Sequence, residues 1–339
     1  MRYKVKKFMV TILVVMLITT LSIAFTGGIA PGFAKEIVLN GTSGGLAGVW
    51  ILIMGGVAEI VNDEYSEIAI RALPGGALVN EPRVGSGECD LGLGYPAFVA
   101  AALKGVDPYM VKYPHLKTVM AGFSKSFIHF VAGTEFVKKY NITSIKDIVD
   151  QKLPIRFATC TRGSMDEFAA RKLWEAYGVT YDDIKDWGGK VYLTGDEDIA
   201  RKMSDRMIDC FVEHIGAPAG SIIKLSTSRD LTVLPIDEEA LDFLYKEWAF
   251  GKGHIEAEAY DFLSNDVRTT ATFSVMLIND GVSEEVAYKI TKAVCENVDR
   301  VHAIHRSLQW FDPKNAWKNT GGPLHPGAEI YFKEKGYMK

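Results

Sequence analysis

Residues 118–133 read TVMAGFSKSFIHFVAG, one unbroken strand-like stretch that is long enough to leave one domain and enter another. A second such stretch, TTATFSVMLIND (269–280), makes the return journey. The two crossing strands divide the chain into a first lobe, 36–130 plus 271–339, and a second lobe, 131–270. They form a hinge, and a cleft lies between the lobes.

The segments around these strands alternate between strand and helix. EIVLN (36–40) reads as a strand, and 46–62 as a helix with Leu46, Val49, Ile53, Val57 and Ile60 on one face. SEIAIRAL (66–73) alternates as a strand, 76–86 reads as a helix, and CDLGLG (89–94) as a buried strand. This βαβαβ order implies a parallel sheet covered by helices, so the fold class is α/β. In the second lobe, Ser144 starts a short helix, 154–159 is a strand, and Ser164 with Glu167 reads as a capping box. Strands at 190–194, 207–214 and 231–236 and a helix at 196–204 complete it. Beyond the return strand, Ser283 caps one long helix with Val286, Ile290, Val294, Val298 and Val301 in a stripe. His302 and His305 near its end read as solvated histidines rather than metal ligands.

The first 34 residues read as a secretory signal peptide. Arg2, Lys4, Lys6 and Lys7 precede an apolar run from Phe8 to Phe25, and small residues at Gly32 and Ala34 set a cut before Lys35. A retained membrane anchor is the alternative, since an apolar run of about 18 residues just spans a bilayer. The segment holds four of the 38 basic residues and none of the 42 acidic ones, so the remaining 305 carry a net −8. Such a surface disfavours nucleic acid as a partner. A periplasmic monomer without cofactor is expected. Cys89, Cys160, Cys210 and Cys295 form no metal-type pair, and Cys160 and Cys210 read as buried thiols or as one disulfide of an exported protein.

Three chemistries compete at NGTSGG (40–45). GTSGG fits the G-x-S-x-G elbow of an esterase with Ser43 as nucleophile. A phosphate cradle is the second, although no Lys-Ser/Thr follows the glycines. The third is a nest of amides that holds a carboxylate at a helix N-terminus. This last reading gains from repetition, because LPGGALVN (73–80), LGYPA (93–97) and CTRGSMDE (160–167) are junctions of the same kind. All lie at strand C-termini, where open α/β sheets bind ligands.

Together with TSIKDI, TRGS, GAP and the ending PLHPGAEIYFKEKG (323–336), these segments resemble the TAXI family over nearly the whole exported chain. Members are extracytoplasmic solute-binding proteins of tripartite ATP-independent periplasmic (TRAP) transporters. The resemblance implies a two-lobed type II periplasmic binding fold. It also implies capture of a small acidic solute, an amino acid or organic acid, and delivery to a fused permease driven by an ion gradient. Carried over by motif, the first-lobe contacts are Thr42, Ser43, Gly44 and Tyr95. Those of the second lobe are Thr161, Gly163, Ser164 and the turn at Gly216.

Departures from the family pattern bear on the solute. Val49 and Trp50 stand near the place of a usual tyrosine pair, and Asp166 follows Gly163-Ser164-Met165 where Gly-Thr is usual. An acid there suits the helix dipole yet repels a bound carboxylate. Glu213 and His214 replace apolar residues, and Arg162 either pairs with a ligand carboxylate or faces solvent. A pocket of mixed charge with an aromatic wall is expected, suited to a zwitterion or to an acid with a larger apolar body. An exported serine hydrolase and a receptor for an ATP-driven importer are the alternatives.

Overall fold

A computed structural model of the chain describes residues 37–46 and 49–339, so the expected signal peptide lies outside the described residues. β1 (Ile37–Thr42), α1 (Val49–Glu64), β2 (Ile68–Leu73), α2 (Asn80–Gly85), β3 (Leu91–Gly94) and α3 (Pro96–Lys104) come first. β1 runs parallel to both β2 and β3, with Ile37 opposite Ile68 and Gly41 opposite Leu91. Leu46, expected on the apolar face of α1, is 79% exposed. The buried face of α1 is Ile53, Met54, Val57, Ile60 and Val61. α2 is the second half of the expected 76–86 helix; residues 77–79 form a turn closed on the Gly76 carbonyl, while the Asn80 side chain accepts the Gly76 amide.

β4 (Leu116–Gly133) decides the architecture. Its first part pairs antiparallel with β11 (Thr272–Asn279), from Leu116 opposite Asn279 to Ser126 opposite Thr272. From Phe127 to Ala132 the partner becomes β7 (Cys210–Ile215). Between these elements the second half contains α4 (Thr134–Tyr140), α5 (Ile145–Asp150), β5 (Arg156–Thr159), α6 (Met165–Ala176), α7 (Tyr181–Asp186), β6 (Lys190–Leu193) and α8 (Asp196–Ser204). After β7 come α9 (Gly220–Ser226), β8 (Leu231–Val233), α10 (Glu238–Trp248), β9 (Lys252–Ile255) and β10 (Val267–Thr270). The strands run β2-β1-β3-β11-β4-β7-β5-β6, with β8 also on β4 and with β9 and β10 as a separate pair. This is a two-lobed α/β fold in which one strand is shared by both halves.

The return stretch is not continuous. It breaks at Ala271, whose amide donates to the carbonyl of Gly251, so β10 ends and β11 begins anew. Threonines tie β10 to the shared strand: Thr269 Oγ1 donates to the carbonyl of Ile128 at 2.6 Å, and Thr270 Oγ1 accepts its amide at 3.2 Å. Opposite β11, β4 carries a bulge in which Gly122, Phe123 and Ser124 face Ser274 alone. Gly122 has φ +105°, and Phe123 stacks on Phe311 at 5.4 Å.

The C-terminal helices are α11 (Glu284–Glu296), α12 (Val298–Ile304) and α13 (Pro326–Glu334). The expected single helix splits at Asn297, whose side-chain amide donates to the carbonyl of Ala293 and ends the first helix. The PLHPGAE segment is a clasp on β4. Thr118 N donates to Pro323 O and His325 N to Thr118 O, and the His325 ring reaches the carbonyl of Val282 at 2.9 Å. A side chain at Gly327 would meet Glu284 O at 2.1 Å, so only glycine lets α13 pack on α11.

Two main cores flank the cleft, one around Ile53, Phe123, Ile290 and Phe332 and one around Phe130, Phe157, Leu173 and Trp174. α3 precedes β4 in the chain, yet its Ala97, Phe98 and Ala101 pack into the second core. The Phe98 ring lies 4.9 Å from Phe168, so the two halves touch across the cleft. Gly122→Ala is expected to lower stability by about 1–3 kcal/mol, because the left-handed backbone there disfavours any Cβ; urea unfolding of wild type and variant checks this.

Candidate functional site

Three strand–helix junctions of the first half meet at one side chain. Asn80 is fully buried and uses its whole hydrogen-bonding capacity. Its Nδ2 donates to the carbonyls of Ser43 and Leu93, both at 2.6 Å. Its Oδ1 accepts from Thr42 Oγ1 at 2.8 Å and from the Gly76 amide at 3.0 Å. One residue thus fastens NGTSGG, LPGGALVN and LGLGY together. Gly75 makes room for it, since a Cβ there would lie 2.3 Å from Asn80 Oδ1. Asn80 was not singled out from the sequence, where it reads as the end of a loop motif.

The latch takes two expected contacts out of the cleft. Thr42 Oγ1 donates to Asn80 and accepts from Arg83 Nη1 at 2.8 Å. Ser43 is fully buried, its hydroxyl donates to the carbonyl of Leu73 at 2.8 Å, and its amide donates to the same oxygen. A serine nucleophile passes its proton to a base, and a peptide carbonyl is none. The elbow geometry fails at Ser43. Gly44 is buried against Trp50, with room for no more than a tight Cβ contact at 3.0 Å.

An aromatic wall does form. Trp50 and Tyr95 have ring centroids 5.0 Å apart, and Trp50 Nε1 donates to Ser124 Oγ at 3.3 Å, on the hinge bulge. Ser124 in turn bonds Ser274 at 2.9 Å, so the wall is tied to both hinge strands. Burial raises the Tyr95 phenol to about 12, with the charge of Asp166 adding to it. From the other half, the His214 ring stands edge-on to Tyr95 at 5.1 Å and to Phe250 at 5.9 Å. His214 is 6% exposed, and neither ring nitrogen has a hydrogen-bond partner. Burial, with a contribution from His129, lowers its pKa to about 3, so the ring is neutral.

Behind this wall sits an acidic group of residues. Asp166 Oδ1 accepts the His214 amide at 2.8 Å, and Cys160 Sγ donates to Asp196 Oδ1 at 2.6 Å. Glu213 alternates to the opposite face of β7 from His214 and receives only a long 3.5 Å bond from Ser221. Burial raises Glu213 to about 7, helped by Asp196 and Asp166, and burial likewise raises Asp166. Cys160 and Cys210 are buried free thiols, so no disulfide joins them. Ser164 caps α6 by accepting the Glu167 amide at 3.1 Å. The expected reciprocal half of that box is missing, because Arg171 draws the Glu167 carboxylate away at 3.1 Å. Thr161 and Gly163 are exposed on the rim, Gly216 is half-buried, and the Arg162 side chain is largely exposed, 3.5 Å from Glu167.

Other expectations separate from this place. His302 bonds the carbonyl of Phe311 and His305 bonds Ser307, and no cluster able to hold a metal occurs among the described residues. No helix among the described residues is long and apolar enough to cross a membrane. A cavity of about 610 Å³ opens at the hinge against Lys125, Phe273 and Trp310, but it includes none of the residues above. Lys125 is satisfied there by the Trp310 ring, 4.1 Å from its ammonium.

The two-lobed α/β fold is that of periplasmic binding proteins. A TctC solute-binding protein from Polaromonas, solved without ligand, is similar in structure. It is 11% identical, with a TM-score of 0.51, and the match covers 89% of this chain and 96% of that one. MatC from Rhodopseudomonas palustris, solved with bound malate, matches at 12% identity and a TM-score of 0.46 over 88% and 97% of the two chains. Residues 41–336 match the NMT1-like family, and the chain belongs to it.

Two outcomes follow from the buried groups of the first half. Asn80→Ala leaves two carbonyls and an amide without partners and is expected to cost about 3 kcal/mol or more, read by chemical denaturation. Glu81 is fully buried; one carboxyl oxygen accepts from Tyr109 at 3.0 Å and the other, packed on Gly94, has no partner. Burial pushes its pKa up to about 8. The folded state therefore holds a proton that the unfolded state has lost, and stability falls as pH rises toward 8. Glu81→Gln is expected to remove roughly 2 kcal/mol of that decline between about pH 6 and pH 8, measured by urea titrations at each pH.

Proposed function

We propose that the protein is an extracytoplasmic solute receptor of a TRAP transporter of the TAXI type, and not an enzyme. In this reading the exported chain captures a small carboxylate-containing solute, an amino acid or organic acid, between the lobes 36–130 plus 271–339 and 131–270. It then delivers the solute to an ion-gradient-driven permease. The observation that carries this is His214. A buried polar ring with two idle nitrogens costs about 1–3 kcal/mol, and it sits where the halves meet, against Tyr95, which itself packs on Trp50. Such a cost is repaid when a solute supplies the missing partners. The Trp50–Ser124–Ser274 chain supports coupling of an occupied cleft to the hinge.

The test combines mass spectrometry of whatever small molecule leaves with the purified exported protein and X-ray scattering across amino acids and organic acids. A co-purified solute and a contraction on adding it are expected. Unchanged scattering with every compound, together with turnover of one of them, overturns the reading. His214→Leu is expected to raise the melting temperature of the ligand-free protein while weakening solute binding about tenfold or more.

A further inference from the structure

The helix N-terminus expected to grip a solute carboxylate in the second half, that of α6, already carries an acid of the chain itself, and so does the N-terminus of α8. Asp166 occupies the first turn of α6, where it accepts the His214 amide. Asp196, Glu197 and Asp198 occupy the first turn of α8. A carboxylate placed there is favoured by the dipole and by orphan amides, so these acids take the stabilisation an anionic solute would otherwise find. Around Cys160, the carboxyl groups of Asp166, Asp196 and Glu213 crowd together, and burial with mutual repulsion raises those of Asp166 and Glu213. Neighbouring carboxylates act on both Asp166 and Glu213. Arg162, the nearest expected cation, turns outward to the rim.

A second observation, independent of the acids, points to an occupant at the same place. His214 is more than nine-tenths buried, and both its nitrogens lack partners. Its main chain is bonded to Asp166 and its ring abuts Tyr95. As a neutral imidazole it offers one lone pair that can accept an N–H. Trp50 and Tyr95 add π faces, which attract cations and not anions.

We propose that the solute recognised by this cleft carries a cationic nitrogen, held by the Asp166 carboxylate, the His214 lone pair and the Trp50–Tyr95 rings. The inference rests on the receptor reading and narrows it: the recognised group is an amine, and a carboxylate on the same molecule is secondary.

The test uses the full exported chain and matched sets of compounds built on one skeleton. Phenylalanine, phenethylamine and 3-phenylpropionate form one set; leucine, isopentylamine and 4-methylpentanoate form another. Calorimetric titration should find the amine-bearing members bound and the acid-only members weaker by about 30-fold or more. Asp166→Asn keeps an oxygen for the His214 amide but removes the charge, and should weaken the amines about tenfold or more with an unchanged circular dichroism spectrum. If that variant fails to fold, the comparison of compounds on the wild-type protein still decides. Acid-only members that bind as tightly as their amine partners overturn this inference and leave the receptor reading standing. Silence from both sets, with no co-purified molecule, overturns both.

Discussion

A single strand common to both halves governs this protein. The partner of β4 changes from β11 to β7 between Ser126 and Phe127, so the relative placement of the lobes is set within one backbone and not by a linker. Everything at the cleft is referred to that strand. Trp50 bonds its bulge, the PLHPGAE segment clasps its first residues, and the threonines of β10 secure its second part. The bulge at Gly122–Ser124 is where regular pairing lapses, and a lapse in the ladder is where a sheet bends at least cost.

Around this strand, the two halves use opposite means to build their cleft faces. The first half spends a neutral amide: Asn80 satisfies three loops at once, and the hydroxyls of Thr42 and Ser43 are drawn inward to the scaffold. The second half spends acids at helix N-termini, with Asp166 as the link to His214. The result is an aromatic contact in which Trp50 and Tyr95 of the first half meet His214 of the second, with the carboxyls of Asp166, Asp196 and Glu213 crowded together nearby.

The NMT1-like match spans scaffold and candidate site alike. The segment carrying much of the TAXI resemblance, PLHPGAE, makes its bonds to β4, to the carbonyl of Val282 and to α11, with Gly327 needed for close helix packing. It is a device of the fold. The residues that the receptor proposal places at the solute, Trp50, Asp166, Glu213 and His214, are departures from the family pattern, and motif similarity is silent on them.

Alternating strands and helices, the long shared strand and most of the apolar face of α1 were legible in the sequence, because period and strand length are local properties of a chain. So was the cap at Ser164, whose bond spans three residues. Other features depended on partners far away in the chain. Ser43 looks like an exposed nucleophile until Leu73 takes its proton, and Asn80 looks like a loop residue until its four partners converge from positions 42, 43, 76 and 93. The idle nitrogens of His214 and the crowding of Asp166, Asp196 and Glu213 are likewise facts of assembly. Hydrogen bonds and charges act through space, so which groups they satisfy, and which they leave for a solute, is decided only when the chain has folded.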